Sequence, residues 1–322
     1  MNSGLMFSAG LLFTVLAVAP VSGQSYPAKP IRMVIPQPPG GGTDLMGRLL
    51  GTKLATFIGQ PVVIDYRAGA AGAIGNRNVM QSAPDGYSIL FGVGSDMVLA
   101  KLLSKDAPVD PLNDLTPIIA AVAPISCIAV SISAPVTNMA ELITYAKANP
   151  GKLTFGSPGT LSAPHIYGEK LRSLGVDMLH VPFKGQGPSM AALLGGQIDV
   201  ALSNMATVIA NARGGKIKIV AISQTKRQET YPDVPAVVEF LPGGDQPQGW
   251  YGVFGPLNLP RPIVNRINED MHKVLADKET KAKIDEANFV TVGGSADQFV
   301  QQVQNLQEVY SRTIRAAGIK GE

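Results

Sequence analysis

The sequence contains little of what most cofactor sites and nucleic-acid interfaces are built from. Of its 322 residues, one is cysteine and three are histidine. The single Cys127 excludes an intrachain disulfide framework and any zinc or iron–sulfur site that needs paired cysteines. Charged residues make up 16% of the chain and the net charge is +3, without the concentrated Lys/Arg face that nucleic acids require. We therefore expect no cofactor, no bound metal and no nucleic-acid partner.

The first 23 residues contain no charged side chain. The apolar run from Leu5 to Val18 is too short to span a bilayer comfortably, and Val21-Ser22-Gly23 matches the small-residue rule for signal-peptide cleavage. The basic residue that usually precedes such a run is absent, and a buried N-terminal helix is the alternative interpretation. We expect a signal peptide over residues 1–23, cleavage near Gly23 and a periplasmic mature chain.

The remaining chain is long enough for two domains, and it opens with repeated strand–turn–helix units. The apolar residues 31–35 predict a buried strand, which prolines end at Pro36. Three glycines follow, and a helix is predicted over about 45–57 with Thr43 or Asp44 as its N-cap. Two further units of this kind, reaching Asp96, predict parallel strands with helices on both faces of a sheet.

The organisation changes at Ala123-Pro124, where one apolar run follows another without a helix between them. A second series of strands, Gly/Ser-rich turns and helices continues to residue 222, after which a proline-rich connection leads back. We predict an α/β fold with two lobes and mostly parallel sheets. Lobe 1 would contain residues 24–123 and 223–322, and lobe 2 residues 124–222, with a hinge at the two connections.

Each predicted lobe contains glycine- or serine-rich turns that lead into a helix, at 38–44 and 69–75 in lobe 1 and at 156–162 and 184–188 in lobe 2. Helix N-termini at the carboxyl ends of strands present unpaired N–H groups that attract anions. A plain connecting turn is the alternative for the first of them, the turn with three glycines. The candidate ligand-binding residues lie in these turns or at neighbouring helix starts: Pro39, Gly40, Gly41, Thr43, Asp44, Ala73, Ser95, Ser157, Gly159, Ser162, His165, Lys184, Gly185 and Asn204.

Three of these candidates have explicit alternatives. The Ser157 hydroxyl is expected to donate to a ligand carboxylate, and a local hydrogen bond within its turn is the other possibility. His165 makes a structural hydrogen bond, contacts the ligand or, as a Ser/His pair with Ser162, takes part in catalysis. Lys184 is either a surface charge or a ligand contact.

The sequence lacks the motifs of the two enzyme classes that are worth considering, hydrolases and dinucleotide-dependent enzymes. No G-x-S-x-G sequence accompanies the histidines, so an exported hydrolase is disfavoured. The run Gly69-Ala-Ala-Gly72-Ala-Ile-Gly75 follows a strand but lacks the second glycine of the dinucleotide-binding G-x-G-x-x-G. We expect a protein that is not an enzyme.

Motifs along the whole mature chain resemble one family. They are Tyr26-Pro-x-Lys-Pro-Ile-Arg32, Pro38-Pro-Gly-Gly-x-x-Asp44, Gly59-Gln-Pro-Val-Val63, Arg67-x-Gly69-Ala-x-Gly72-x-Ile-Gly75, Pro84-Asp-Gly-Tyr87, Gly156-Ser157-x-Gly159-x-x-Ser162-x-x-His165, Glu169, His180-Val-Pro-Phe-Lys-Gly-x-Gly-Pro188, Leu194-Gly-Gly-Gln-Ile-Asp199 and Pro232-Asp-Val-Pro235. In this order they are similar to the extracytoplasmic solute receptors of tripartite tricarboxylate transporters, the Bug family. Gln37 stands where an aromatic residue is common in that family.

The resemblance implies a two-lobed periplasmic binding protein, type II-like, with a ligand cleft between the lobes. It implies a monomer that holds a small organic carboxylate through main-chain amides, and that delivers it to the membrane subunits of a tripartite tricarboxylate-type transporter. The ligand could be a di- or tricarboxylate, an amino acid or an aromatic acid. A periplasmic ligand sensor for a membrane receptor is the alternative function.

Overall fold

A computed structural model describes residues 26–104, 109–160 and 162–319 of the chain. The predicted signal peptide and its cleavage site lie outside these residues. Within them, the chain forms two lobes, each built on its own β-sheet and covered by helices. No helix in the described ranges is both long enough and apolar enough to cross a membrane.

The elements follow one another along the chain without long irregular stretches except between residues 223 and 250. The strands are β1 (Ile31–Ile35), β2 (Val62–Tyr66), β3 (Ser88–Val93), β4 (Leu115–Pro124), β5 (Ser126–Ser131), β6 (Thr154–Ser157), β7 (Leu179–Pro182), β8 (Val200–Asn204), β9 (Ile217–Ile222), β10 (Tyr251–Pro256) and β11 (Phe289–Thr291). The α-helices are α1 (Gly42–Ile58), α2 (Ala73–Met80), α3 (Gly94–Leu103), α4 (Met139–Ala148), α5 (Ala163–Ser173), α6 (Gln186–Leu194), α7 (Met205–Arg213), α8 (Arg261–Ala276), α9 (Lys278–Glu286) and α10 (Ala296–Ala316).

The first sheet has the strand order β11-β4-β10-β3-β1-β2, and the second has the order β7-β6-β8-β5-β9. β1 runs parallel to β2 and β3, and β6 runs parallel to β7 and β8, as the predicted strand–helix–strand units require. In contrast, β10 is antiparallel to β3 and β4, β11 is antiparallel to β4, and β5 is antiparallel to β8 and β9. The α/β, two-lobed fold is confirmed, but both sheets are mixed rather than mostly parallel.

The exchange of the chain between the lobes explains the antiparallel pairs. β4 ends at Pro124 and β5 begins at Ser126, so the chain leaves one sheet and enters the other with a single residue between them. A strand that receives the chain from the opposite lobe must start at the edge where the parallel strands end. β5 and β10 are these receiving strands, and each therefore runs against its parallel neighbours.

The two faces of the first sheet are covered by helices with apolar stripes at helical spacing. On one face, Leu50 and Leu54 of α1 belong to the same buried cluster as Ile267 and Met271 of α8. On the other face, the predicted apolar side of α10 is buried at Phe299, together with residues of α3. Complete burial of such a side chain contributes roughly 1.5–3 kcal/mol, so these helices hold the sheet edge, and the loops on it, in place.

The segment from residue 223 to 248 contacts the second lobe. Val237 and Leu241 are buried in the cluster that contains Phe155, and the Ser223 N–H donates to the Ser126 carbonyl at 2.9 Å. The Tyr167 hydroxyl donates to the Gly244 carbonyl at 2.8 Å. The lobe boundary at residue 222 stays a prediction, and these contacts associate the segment that follows it with lobe 2.

Candidate ligand site between the lobes

A cavity of about 220 Å³ lies between the carboxyl edges of the two sheets, with walls from both lobes. Four predicted ligand-binding residues line it: Thr43 and Ser95 from the first lobe, and Ser162 and Asn204 from the second. The remaining lining residues are Gln37, Val93, Asp96, Pro124, Ser126, Pro158, Ala163, Pro164, Gln186, Ser203, Gln246, Gly249, Trp250, Tyr251 and Tyr310.

Five helices direct their N-terminal ends at this cavity. Thr43 and Ser95 are the second residues of α1 and α3, and Gln186 is the first residue of α6. Ser162 and Asn204 are the N-caps of α5 and α7, where their side chains accept the N–H groups of His165 and Thr207. Each N-terminus carries a partial positive charge from its unpaired N–H groups, so together they make the cavity attractive to an anion.

A second cavity of about 400 Å³ adjoins the first, and the two share Asn204 and Tyr251 in their walls. The glycine turn before α1 borders this second cavity through Gly40 and Gly41, and the predicted residue Asp44 lies there as well. The glycine turn thus faces the region between the lobes, beside the smaller cavity.

The N-cap of α1 is Gly41, whereas Thr43 or Asp44 was predicted to cap this helix. The helix starts earlier than its sequence suggests because the Asp44 carboxylate, in the first turn, reaches back and accepts the Gly40 N–H at 2.8 Å. It also accepts the Tyr66 hydroxyl at 2.5 Å and pairs with Arg48 at 2.8 Å. Burial alone would raise the pKa of Asp44, but the bonds from Tyr66, Gly40 and Arg48 outweigh it and lower that pKa. Asp44 is thus an ionised residue that fixes the loop.

Seven predicted site residues line neither of the two cavities: Pro39, Ala73, Ser157, Gly159, His165, Lys184 and Gly185. Lys184 is exposed on the loop before α6. As ligand contacts these residues stay predictions, and the environment of Ser157 and His165 shows what they do in the structure.

Ser157 is fully buried. Its hydroxyl donates to the Gly159 carbonyl at 2.9 Å and lies 2.7 Å from His180 Nε2. The Gly159 N–H donates back to the hydroxyl oxygen at 3.2 Å. This set of bonds corresponds to the alternative interpretation, a local hydrogen bond that fixes the turn.

The His180 ring stacks on His165 with ring centroids 4.0 Å apart, and on Phe155 at 4.9 Å. Burial, and then the proximity of His165, lowers the pKa of His180 to about 4. Burial and the charge of Arg172 lower the pKa of His165. Both rings are therefore neutral at neutral pH, and their stack is a packed wall behind the second-lobe loop.

Sequence reasoning missed most of the polar groups around the smaller cavity. Trp250 and Tyr310 are almost completely buried, and the indole N–H and the phenol oxygen have no hydrogen-bond partner in the described part of the protein. The same holds for the amide oxygen of Gln37. Gln186 donates to the Ser203 hydroxyl at 2.5 Å. Buried polar atoms without partners are uncommon, and here they surround a space that a polar ligand fits.

Asp96 is the single charged residue in the lining of this cavity. It follows Ser95 at the end of β3, so the rule that placed Ser95 at the site applies to it equally. Asp96 is exposed to the cavity itself, but its position between the two lobes still desolvates the carboxyl group and raises its pKa to about 6, against a weak contact of 3.4 Å from the Ser95 hydroxyl. No group of three or more potential metal ligands occurs in the described ranges.

Comparison with known proteins finds similarity over most of the chain. A family model described as "Tripartite tricarboxylate transporter family receptor" matches residues 46–319. Protein BugT of Bordetella pertussis is 31% identical to the chain over 306 residues, covering 94% of this chain and 93% of BugT.

Two solved structures extend the comparison to the fold. The periplasmic binding protein BugD superposes with a TM-score of 0.77 at 29% identity, covering 92% of this chain and 100% of BugD. An R. palustris protein solved with adipate superposes with a TM-score of 0.82 at 27% identity, covering 92% of this chain and 100% of that one.

Proposed function

The chain belongs to the tripartite tricarboxylate transporter receptor family, and on that premise we propose that it captures a small organic carboxylate between its lobes in the periplasm and delivers it to a tripartite membrane transporter. The observation that carries the proposal is the convergence of five helix N-termini on a cavity without a basic side chain. Such a site binds anions through N–H groups and helix dipoles. The adipate in the R. palustris structure is a ligand of this class.

The ligand contacts that we propose are Thr43, Ser95, Ser162 and Asn204. The Thr43 and Ser95 hydroxyls and the Asn204 amide can donate to carboxylate oxygens that also accept backbone N–H groups. The Ser162 hydroxyl donates to the Gly159 carbonyl at 2.6 Å, so the contact that we assign to Ser162 is through the N-terminus of α5, which it caps. The volume of about 220 Å³ is below the range of drug-sized pockets, which favours a small acid. No catalytic step is proposed, and the protein acts as a monomer after removal of residues 1–23.

We propose that residues 223–248 move with lobe 2, because their buried side chains belong to its core. The connections between the lobes would then be Ile125, between β4 and β5, and the residues just before β10. Closure of the lobes about these two connections would bring the walls of the cavity together around the ligand.

A thermal-shift screen of mono-, di- and tricarboxylates, amino acids and aromatic acids tests the proposed ligand class. A ligand at about 100 times its Kd adds roughly 2.7 kcal/mol of stability, so an acid that binds should raise the Tm by several degrees. The proposal is wrong if no acid in the panel raises the Tm while sugars or nucleotides do.

The variant Asn204→Asp tests whether the helix N-termini attract the anion. An aspartate can still cap α7 by accepting the Thr207 N–H, as Asn204 does at 3.2 Å, but it adds a negative charge to the cavity wall. We expect carboxylate affinity to fall about tenfold or more, since like charges in a desolvated site cost several kcal/mol, with the apo Tm unchanged. Asn138→Asp, at the exposed N-cap of α4, is the matched control and should leave affinity unchanged. Equal affinities of the two variants would contradict the proposed site.

A further inference from the structure

The cavity between the lobes contains one feature that a site for a plain carboxylate does not need, the carboxylate of Asp96. The lining contains no lysine, arginine or histidine. The side chain of Asp96 is exposed to the cavity, and no ion pair with it occurs in the described part of the chain. Its one polar contact is the Ser95 hydroxyl at 3.4 Å.

An unpaired carboxylate in this position opposes an anionic ligand. Two like charges in a desolvated site repel each other strongly, so a dicarboxylate with no other charge would meet Asp96 at an electrostatic cost. The N-terminus of α3 offsets part of the Asp96 charge, because Asp96 lies in the first turn of that helix. The α3 dipole therefore acts on Asp96, and the N-termini of α1, α5, α6 and α7 are left for a ligand carboxylate.

The aromatic residues around Asp96 cannot neutralise it, but they suit a cation. Trp250, Tyr251 and Tyr310 all line the cavity. Burial, together with the negative charge of Asp96, raises the pKa of Tyr251 to about 12 and also raises that of Tyr310, so both phenols stay neutral. A carboxylate without an ionic partner, in a cavity that contains no basic residue, is a group that recognises an ammonium ion, and the neutral aromatic side chains beside it add no competing charge.

We propose that the ligand carries an ammonium group as well as a carboxylate, and that Asp96 binds the ammonium while the helix N-termini bind the carboxylate. This inference rests on the function proposed above and narrows its ligand class to amino acids and related amino carboxylates. Asp96 is then the residue that makes the site selective for these ligands over acids of similar shape that have no ammonium group.

Calorimetric titration at pH 7.5 with ligand pairs that differ only in the ammonium group tests the inference. The pairs are aspartate and succinate, glutamate and glutarate, and 4-aminobutyrate and butyrate. For the pair that fits the cavity, we expect the amino member to bind the unmodified protein about tenfold or more tightly than its partner.

Asp96→Asn and Asp96→Ser should remove this preference, by weakening the amino member and leaving the other unchanged or tighter. Asp233→Asn, at an exposed position outside the cavity, is the matched control and should keep the preference. Thermal melts of the ligand-free variants verify that each one folds.

Two results overturn the inference and are distinguishable from each other. Carboxylate binding with no preference for the amino member, or a preference that both Asp96 variants retain, refutes the role of Asp96 but leaves the carboxylate receptor intact. Failure of every acid in all three pairs, together with failure of the wider acid panel, refutes the proposed function and this inference with it.

Discussion

Replacing Ser157 with alanine should destabilise the ligand-free protein without weakening ligand binding. Ser157 stands at the carboxyl end of β6, where a ligand contact is expected from sequence, but its hydroxyl is buried against Gly159 and His180. It lines neither of the cavities between the lobes. The substitution therefore separates a turn-forming serine from a ligand-binding one.

The size of the effect follows from the partners that lose a bond. The Gly159 carbonyl keeps a second donor, the Ser162 hydroxyl at 2.6 Å, so it stays satisfied. His180 Nε2 loses the hydroxyl 2.7 Å away, and the Gly159 N–H loses its acceptor at 3.2 Å. A buried polar atom left unpaired costs about 1–3 kcal/mol. Because His180 is half-buried, we expect the lower part of that range, about 1–2 kcal/mol. For a chain of this size the Tm should fall by roughly 2–6 °C.

Differential scanning calorimetry of the apo protein measures the change in Tm. Calorimetric titration with the ligand found in the acid screen measures the change in affinity. Ser95→Ala is the matched comparison, because Ser95 is a proposed ligand contact in the cavity lining and its hydroxyl makes only a weak contact of 3.4 Å with Asp96. Ser95→Ala should weaken binding and keep the apo Tm, the reverse of Ser157→Ala. An unchanged apo Tm with a tenfold loss of affinity in Ser157→Ala would refute the reasoning from burial.

Two further predictions concern pH and packing. The pKa of His180 lies near 4 in the folded protein and near 6.5 when unfolded, so between these values the unfolded chain binds more protons and acidification lowers stability. Asp96, with its pKa raised from 3.8 to about 6, has the opposite dependence. Urea melts of Asp96→Asn at pH 4.5, 5.5 and 7 should therefore show a steeper loss of stability on acidification than the parent, and a shallower loss would contradict the raised pKa of Asp96. An added Cβ at Gly94 would lie 2.4 Å from the Trp250 ring, so Gly94→Ala should cost about 1–3 kcal/mol by overpacking and weaken ligand binding through the displaced indole. Gly41→Ala meets no atom within 4 Å and should do neither, and equal calorimetric profiles for the two glycine variants would contradict this packing.

The strand–turn–helix pattern is sufficient to predict the edge of each sheet that borders the cavity. One rule predicts the positions of Ser95 and Asn204, which both line it: polar residues at the ends of parallel strands meet at the carboxyl edge of the sheet. The antiparallel direction of some strands cannot be predicted from the sequence, because an apolar run indicates a buried strand but not the end at which it enters its sheet. The direction depends on where the chain crosses between the lobes.

Side-chain direction was the second limit. Successive residues of a strand point to opposite faces, so Ser157 shares the side of Phe155, and both contact His180. The next residue, Pro158, lines the cavity instead. Neighbouring loop residues can therefore have different roles, one fixing the turn and the next lining the cavity. The residue types alone do not show which residue has which role.

Distance along the chain was the third limit. Tyr310 reaches the cavity from the middle of α10, and no local motif marks it as different from the other residues of that amphipathic helix. Asp96 has a signal in the sequence, its position directly after β3 and Ser95. Its significance depends on the absence of any basic residue from the same cavity, which only the folded chain reveals.

Calorimetric titration of a cavity-filling variant tests most directly whether the ligand binds between the lobes. Ala163 begins α5 and lines the cavity, so Ala163→Trp should fill the space that the ligand occupies, while Ala140→Trp on the exposed side of α4 should not. We expect the parent and Ala140→Trp to bind one carboxylate ligand per chain with equal affinity, and Ala163→Trp, folded by thermal melt, to bind none. Undiminished binding by Ala163→Trp would show that the ligand site lies elsewhere.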